Sequence, residues 1–212
     1  PGTTGADGGD GTGFLCRAES LGARGLMSPL LAYLALLGLV GLQRLSELRL
    51  SATHQAQIVA SGGYEVAPEQ MPWMRALHSL WLVAAVIEAT FFATELPSWL
   101  VYSSAFALLV GQALRWEAIS TLGPRWTVTI MILPEAPPQV GGLYRWIRHP
   151  NYLGVVLEIL ALPLLGGAWM TALVFSLANG LLLRHRIGRE EAALEQSGGY
   201  LDAFENRGRF IP

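Results

Sequence analysis

No lysine occurs anywhere in the 212 residues; all fourteen basic residues are arginine. That absence excludes a Schiff-base lysine and a P-loop lysine. There is one cysteine, Cys16, so neither an intrachain disulfide nor a cysteine metal cluster can form. The four histidines fall in no Glu-x-x-His or His-x-x-x-His spacing, so no metal is expected. Charge of either sign is scarce: 14% of residues are charged, against about 25% in a soluble protein. The net charge of -2 also argues against nucleic acid as a partner. What is abundant is apolar surface, at 52% of residues with a mean hydropathy of +0.39. This is the composition of an integral membrane protein.

Residues 1–26 begin "PGTTGADGGDGTG" and lack apolar periodicity, which marks a disordered N-terminal tail before a domain over 27–212. Apolar runs then predict spans at 29–42, 74–93 and 98–119. A fourth run, 152–183, is interrupted by Pro163, Gly166 and Gly167. Each half is shorter than the ~20 residues of a full span, so the run reads as a tight helical hairpin. The fold class is therefore all-α integral membrane, with about five transmembrane helices, the last two forming the hairpin. Twelve of the fourteen arginines flank one set of span ends, while the loops at 94–97 and 166–169 carry none. The excess assigns the arginine-rich side, with the C-terminus, to the cytosol. Between the third and fourth runs lies the long connection 120–149, a length that usually signals function. Its "WTVTIMIL" alternates weakly and allows a short strand pair at the membrane surface.

"YRWIRHPNYLG", residues 144–154, ends that connection. Pro150 suits the first position of a helix, where a missing N–H costs nothing. His149 precedes it and Tyr152 follows on the same face. A helix start of this kind, with Arg145 and Arg148 nearby, suits a carboxylate or phosphate. The same residues also suit a plain headgroup anchor with an aromatic belt. Further on, Arg186 and Glu190 are four apart and face one way. Glu88, Glu158 and Asn179 sit inside apolar runs, where polar groups face a bundle interior or a cavity. Glu158 can line a substrate cavity or bond across the hairpin, with Asn179 as a partner; for Glu88 the helix–helix bond is the better reading.

"GGLYRWIRHPNYLG", a broken apolar hairpin and then "RIGREEAAL" resemble the isoprenylcysteine carboxyl methyltransferase family, in the wider group with phospholipid methyltransferases. The likeness covers roughly residues 110–205. It implies a membrane helix bundle that binds S-adenosylmethionine at the cytosolic face, between the 120–149 loop and the C-terminal helix. Carried onto this sequence, the cofactor pocket uses Tyr144, His149, Pro150, Asn151, Tyr152 and Glu190, with backbone near Gln139 and Val140. Arg186 matches the arginine between cofactor and substrate. A carboxylate acceptor needs no base; for a phenol or enol, Glu158 or His149 is the nearest candidate.

The lysine-free chain resembles the bacterial branch, which implies a bacterial cell membrane. Acceptors in that branch include phenolic and pyrone polyketide lipids. The resemblance thus implies O-methylation of a hydrophobic lipid-like acceptor drawn from the bilayer, with a prenylcysteine-like carboxylate as the close second. A phospholipid N-methyltransferase is the nearest rival, and a NADPH-dependent membrane reductase a more distant one.

Overall fold

The computed structural model describes residues 12–134, 136–205 and 207–211, with side chains from Pro29 onward. Five long helices make up most of the described residues: α1 (Thr12–Ala60), α2 (Met71–Phe91), α3 (Ser98–Leu122), α4 (Pro150–Leu165) and α5 (Trp169–Gln196). A single short turn of helix, α6 (Tyr200–Ala203), follows. Residues 1–11 of the expected tail lie outside the described residues. α1 is already helical at Thr12, within that segment; Leu, Ala, Arg and Glu are good helix formers.

Boundaries follow local chemistry. Pro97 sits at the cap of α3 and Pro150 opens α4, both where no backbone donor is needed. Gly123, at φ +53°, ends α3. Pro163 does not break α4, contrary to its reading as a breaker; it lies in the last turn, and the chain reverses only at Gly166 and Gly167. Gly166 lies against the Tyr33 ring, and Gly167 takes φ +71°, so this turn needs glycine. The hairpin is the expected one.

The all-α expectation needs one amendment. β1 (Tyr64–Val66) and β2 (Ile130–Ile132) form an antiparallel ribbon, pairing Tyr64 with Ile132 and Val66 with Ile130. The strand expected near 126–133 exists, but its partner comes from the connection between α1 and α2. Two helices, Pro29–Ala60 and Pro68–Phe91, are long and apolar enough to cross a membrane. α3 is interrupted by Arg115 and Glu117, α4 has only 16 residues, and α5 runs from Arg184 onward through charged sequence.

The core sits where α1, α2 and α4 meet. Trp81 is fully buried there, and its indole donates to the Ile159 carbonyl at 3.2 Å. α3 and α4 approach closely at two glycines: a Cβ on Gly154 would meet Arg115 Cγ at 2.5 Å and the Gly111 carbonyl at 2.7 Å. Glu88 accepts from the Met170 N–H at 2.9 Å, the Thr171 N–H at 2.7 Å and the Thr171 hydroxyl at 2.6 Å. It thereby satisfies the free donors at the start of α5, the helix–helix role favoured by its sequence. Outward faces carry Trp99, Phe106, Trp116, Leu177 and Leu181, all exposed, as the surface of a membrane protein does.

Candidate functional site

A cavity of about 620 Å³ opens at the end of the bundle where the β ribbon lies. It is walled by α1 and α2 on one side, by the 123–139 loop, and by the start of α4, the end of α5 and α6. The loop is held by polar bonds. Arg125 donates to the Pro137 carbonyl at 2.8 Å and to Gln139 Oε1 at 3.0 Å, and Gln139 Nε2 donates to the Thr121 carbonyl at 3.2 Å. Glu117 Oε1 accepts from the Leu143 N–H at 3.0 Å and so fixes the turn that carries Tyr144.

Three site residues form a chain of hydrogen bonds. Arg186 Nε donates to the Tyr152 hydroxyl at 2.8 Å, and that hydroxyl donates to Glu190 Oε2 at 2.6 Å. Arg186 Nη2 donates to the Val128 carbonyl at 2.5 Å. Arg186 is only 4% exposed. Its direct partners among the described residues are neutral oxygens, and the nearest carboxylate is reached through Tyr152. A buried cation without a contacting anion is costly; Arg186 is acted on at longer range by the Glu190 and Glu65 carboxylates.

Beside this chain, the segment after α6 is strapped onto the start of α4. The N–H groups of Arg148 and His149 donate to the Gly208 and Arg209 carbonyls at 3.0 and 3.1 Å. Glu191 joins the two parts: it accepts from His149 Nε2 at 3.1 Å, from Arg148 at 3.3 Å and from Arg209 Nη2 at 2.5 Å. Burial acts to raise its pKa, but the His149 and Arg209 hydrogen bonds outweigh burial and hold it at about 2. Burial, with the Glu190 carboxylate adding to it, pushes the Tyr144 and Tyr200 phenols above their usual range, so both stay protonated. The Tyr200 and Phe204 rings pack 4.8 Å apart at the cavity wall.

On the membrane side of the cavity lies a four-charge cluster. Arg44 contacts Glu158 and also Glu47, the latter at 2.5 Å; Arg115 contacts Glu47 at 2.5 Å and Glu158 at 3.7 Å. Gln43 bridges Glu47 and Gln112 at 3.1 and 2.8 Å.

Gln139, Tyr144, His149, Asn151, Tyr152, Arg186 and Glu190, all expected from sequence, line this one cavity. Val140 is 42% exposed and outside the lining, and Pro150 is buried behind it as the first residue of α4. Glu158, 2% exposed, is ion-paired to Arg44 and Arg115 instead of bonding Asn179. The backbone N–H of His149 is engaged by the strap and its Nε2 by Glu191. Sequence reasoning misses Arg44, Glu47, Arg115, Trp126 and Thr129 in the cavity lining, and Glu191 behind His149. Arginines inside or at the ends of apolar runs are the available signal for Arg44 and Arg115; Trp126 and Thr129 give none.

The lining fits S-adenosylmethionine. Asn151 Oδ1 is buried without a partner among the described residues. With Glu190 it offers acceptors for an ammonium, while the Tyr144, Tyr200 and Phe204 rings suit an adenine or a sulfonium.

Comparison with known proteins gives a consistent set of likenesses. A model of the isoprenylcysteine carboxyl methyltransferase family matches residues 99–196. An uncharacterized protein of Bacillus subtilis, YpbQ, is 31% identical over 161 residues, covering 76% of this chain and 95% of the relative. A protein-S-isoprenylcysteine O-methyltransferase of Schizosaccharomyces pombe is 34% identical over 71 residues, 34% of this chain and 29% of that protein. The solved structure of a eukaryotic intramembrane Ras methyltransferase matches with a TM-score of 0.53 at 24% identity over 66% of this chain. The match spans about half of that structure, 52% of its length.

Proposed function

The chain belongs to the isoprenylcysteine carboxyl methyltransferase family, a family of methyltransferases, and from that premise we propose that it transfers a methyl group from S-adenosylmethionine to an oxygen of a hydrophobic, lipid-like acceptor at the cytosolic face of a bacterial cell membrane. The acceptor is a phenolic or pyrone lipid, or a prenylcysteine-like carboxylate, and the methyltransferase domain covers residues 27–212. When bound, S-adenosylmethionine supplies an electrophilic methyl group, which an acceptor oxygen takes while the sulfur keeps the bonding pair. Glu190, Asn151 and the Tyr144 and Tyr200 side chains hold the cofactor end of the cavity. Arg186 holds the acceptor oxygen, oriented by Tyr152 and the Val128 carbonyl. Positioning of this kind is the main catalytic contribution open to such a site. A carboxylate arrives without a proton; a phenol must release one, and Glu158, locked to two arginines, is poorly placed to take it.

The observation that carries the reading is Arg186, a buried guanidinium whose direct partners are neutral oxygens. It favours an acceptor with negative charge on oxygen. The same point weighs against the amine of a phospholipid headgroup, which puts no negative charge on the reacting atom. The test is transfer of labelled methyl groups from S-adenosylmethionine into a bacterial lipid extract, with mass spectrometry of the labelled product. An O-methylated lipid is expected. Label confined to headgroup nitrogen, or no label in any lipid, would overturn the reading.

A further inference from the structure

The segment 126–129 is fixed by hydrogen bonds, beginning with the Trp126 N–H, which donates to the Gly123 carbonyl at 2.9 Å. His54 Nδ1 bonds the Trp126 carbonyl at 2.7 Å, and the Ser51 hydroxyl accepts from the Val128 N–H at 2.8 Å. The Thr127 hydroxyl donates to the Thr129 carbonyl at 2.8 Å, and Arg186 Nη2 donates to the Val128 carbonyl at 2.5 Å. With the backbone so engaged, two side-chain donors are left over. The Trp126 indole N–H and the Thr129 hydroxyl are buried, in residues 3% and 8% exposed, and have no hydrogen-bond partner among the described residues. Both residues belong to the cavity wall. Buried polar groups of a native protein are paired, and an unpaired one calls for a specific explanation.

Position and chemistry point the same way. Trp126 lies two residues before Val128 and Thr129 one after it, so the segment that carries both spare donors is the one whose carbonyl Arg186 holds. An indole can only donate. The group that satisfies it therefore carries a lone pair, as an oxygen does, and is not an ammonium or a sulfonium. We infer that Trp126 and Thr129 form a second oxygen site for the methyl acceptor, holding an oxygen other than the one that takes the methyl group. The inference rests on the methyltransferase reading of the cavity. It narrows the acceptor to an apolar molecule whose head carries at least two neighbouring oxygens.

Two acceptors with the same alkyl chain test this: 5-pentadecylresorcinol, with two ring oxygens, and 3-pentadecylphenol, with one. Initial rates of methyl transfer in detergent give kcat/KM for each. The wild-type protein should prefer the resorcinol by roughly tenfold or more, the size of one hydrogen bond in a dry site and well above the twofold expected from having two equivalent oxygens. Trp126→Phe and Thr129→Val should each bring the preference to within about threefold, with S-adenosylhomocysteine affinity within about twofold of wild type, as expected for lost acceptor contacts alone. A wild-type preference of about twofold or less overturns the inference by itself, whether or not the variants fold. Retention of the full preference in both variants overturns it too. Loss of S-adenosylhomocysteine affinity in the variants would assign the two donors to the cofactor instead. No transfer to either acceptor by the wild-type protein overturns this inference, while the methyltransferase reading stands or falls separately with the lipid-extract assay.

Discussion

Arg186 is where charge, burial and geometry meet. Its guanidinium is a planar fork with one arm on the Tyr152 hydroxyl and one on the Val128 carbonyl. A lysine would keep the charge but could not span both oxygens in that geometry. Arg186→Lys should therefore lower turnover at least ~100-fold, the scale of a lost positioning contact. S-adenosylhomocysteine affinity should stay within about threefold, because Glu190 and Asn151 carry that end of the cavity. Near-normal turnover by radiolabel transfer would reduce Arg186 to a structural residue that ties Tyr152 to Val128. Much of this constellation is legible in the sequence. Tyr152, Arg186 and Glu190 lie on two helices, and helical spacing alone puts the last two on one face. What cannot be read is which of two adjacent acids does what. Glu190 and Glu191 point about 100° apart on their helix. The first meets Tyr152 at the cavity, and the second turns to His149, Arg148 and Arg209. For Val140 the expectation concerns backbone, and a loop has no periodicity to say which side chains face inward; its side chain is largely exposed.

Elements decide whether these residues stay together. The α3–α4 contact depends on glycine, since a Cβ on Gly154 would collide with Arg115 Cγ and the Gly111 carbonyl. Backbone cannot move aside as a side chain can, so Gly154→Ala should cost about 1–3 kcal/mol through overpacking and displace Arg115 from its glutamates. Gly180, on the exposed face of α5, has open space around it: a methyl group added there would meet nothing within 4 Å. There Gly180→Ala should leave stability unchanged or raise it by up to about 1 kcal/mol. Thermal melts of the two variants in one detergent should differ in sign or fall together; the second outcome would place the sensitivity outside the α3–α4 contact. The strap after α6 gives a pH signature. The Glu191 carboxyl is held at about 2 against an ordinary 4.5. A depressed acid pKa stabilises the fold above the unfolded value and loses that contribution as pH falls. The strap should thus loosen between about pH 4.5 and 2, seen as protease cleavage near the C-terminus, while Glu191→Gln should be cleaved at neutral pH as well. Cleavage of the wild-type protein that does not change across this range would sink the clamp. None of this strap is legible in the sequence. It joins residues 148 and 149 to 208 and 209 through backbone bonds, as the β ribbon joins 64–66 to 130–132, and such distant pairings leave no local pattern.

At the scale of the whole molecule, the ends of the bundle are chemically distinct. The β ribbon, the cavity and the C-terminal strap gather at one end. At the other, the Thr94 N–H donates to the Gly167 carbonyl at 3.1 Å, so the α2–α3 loop and the α4–α5 turn are neighbours. Those two connections carry no arginine, whereas the connections at the cavity end are flanked by Arg44, Arg49, Arg75, Arg125, Arg145, Arg148, Arg184, Arg189, Arg207 and Arg209. The fold thus groups the arginine-poor connections without reference to charge, and the charge rule assigns that group to the outside. On that ground we propose that the cavity end faces the cytosol, the side on which S-adenosylmethionine is made and from which a methyl acceptor in the inner leaflet can be reached. Cys16 is the sole cysteine, so a Cys16→Ser background makes single-thiol labelling clean. In that background Glu95→Cys, in the α2–α3 loop, should react in intact cells with a membrane-impermeant maleimide. Ser61→Cys, exposed in the turn before β1, should react only after permeabilisation. Labelling of Ser61→Cys in intact cells, with Glu95→Cys protected, would reverse the orientation and put the cavity on the wrong side of the membrane for its cofactor.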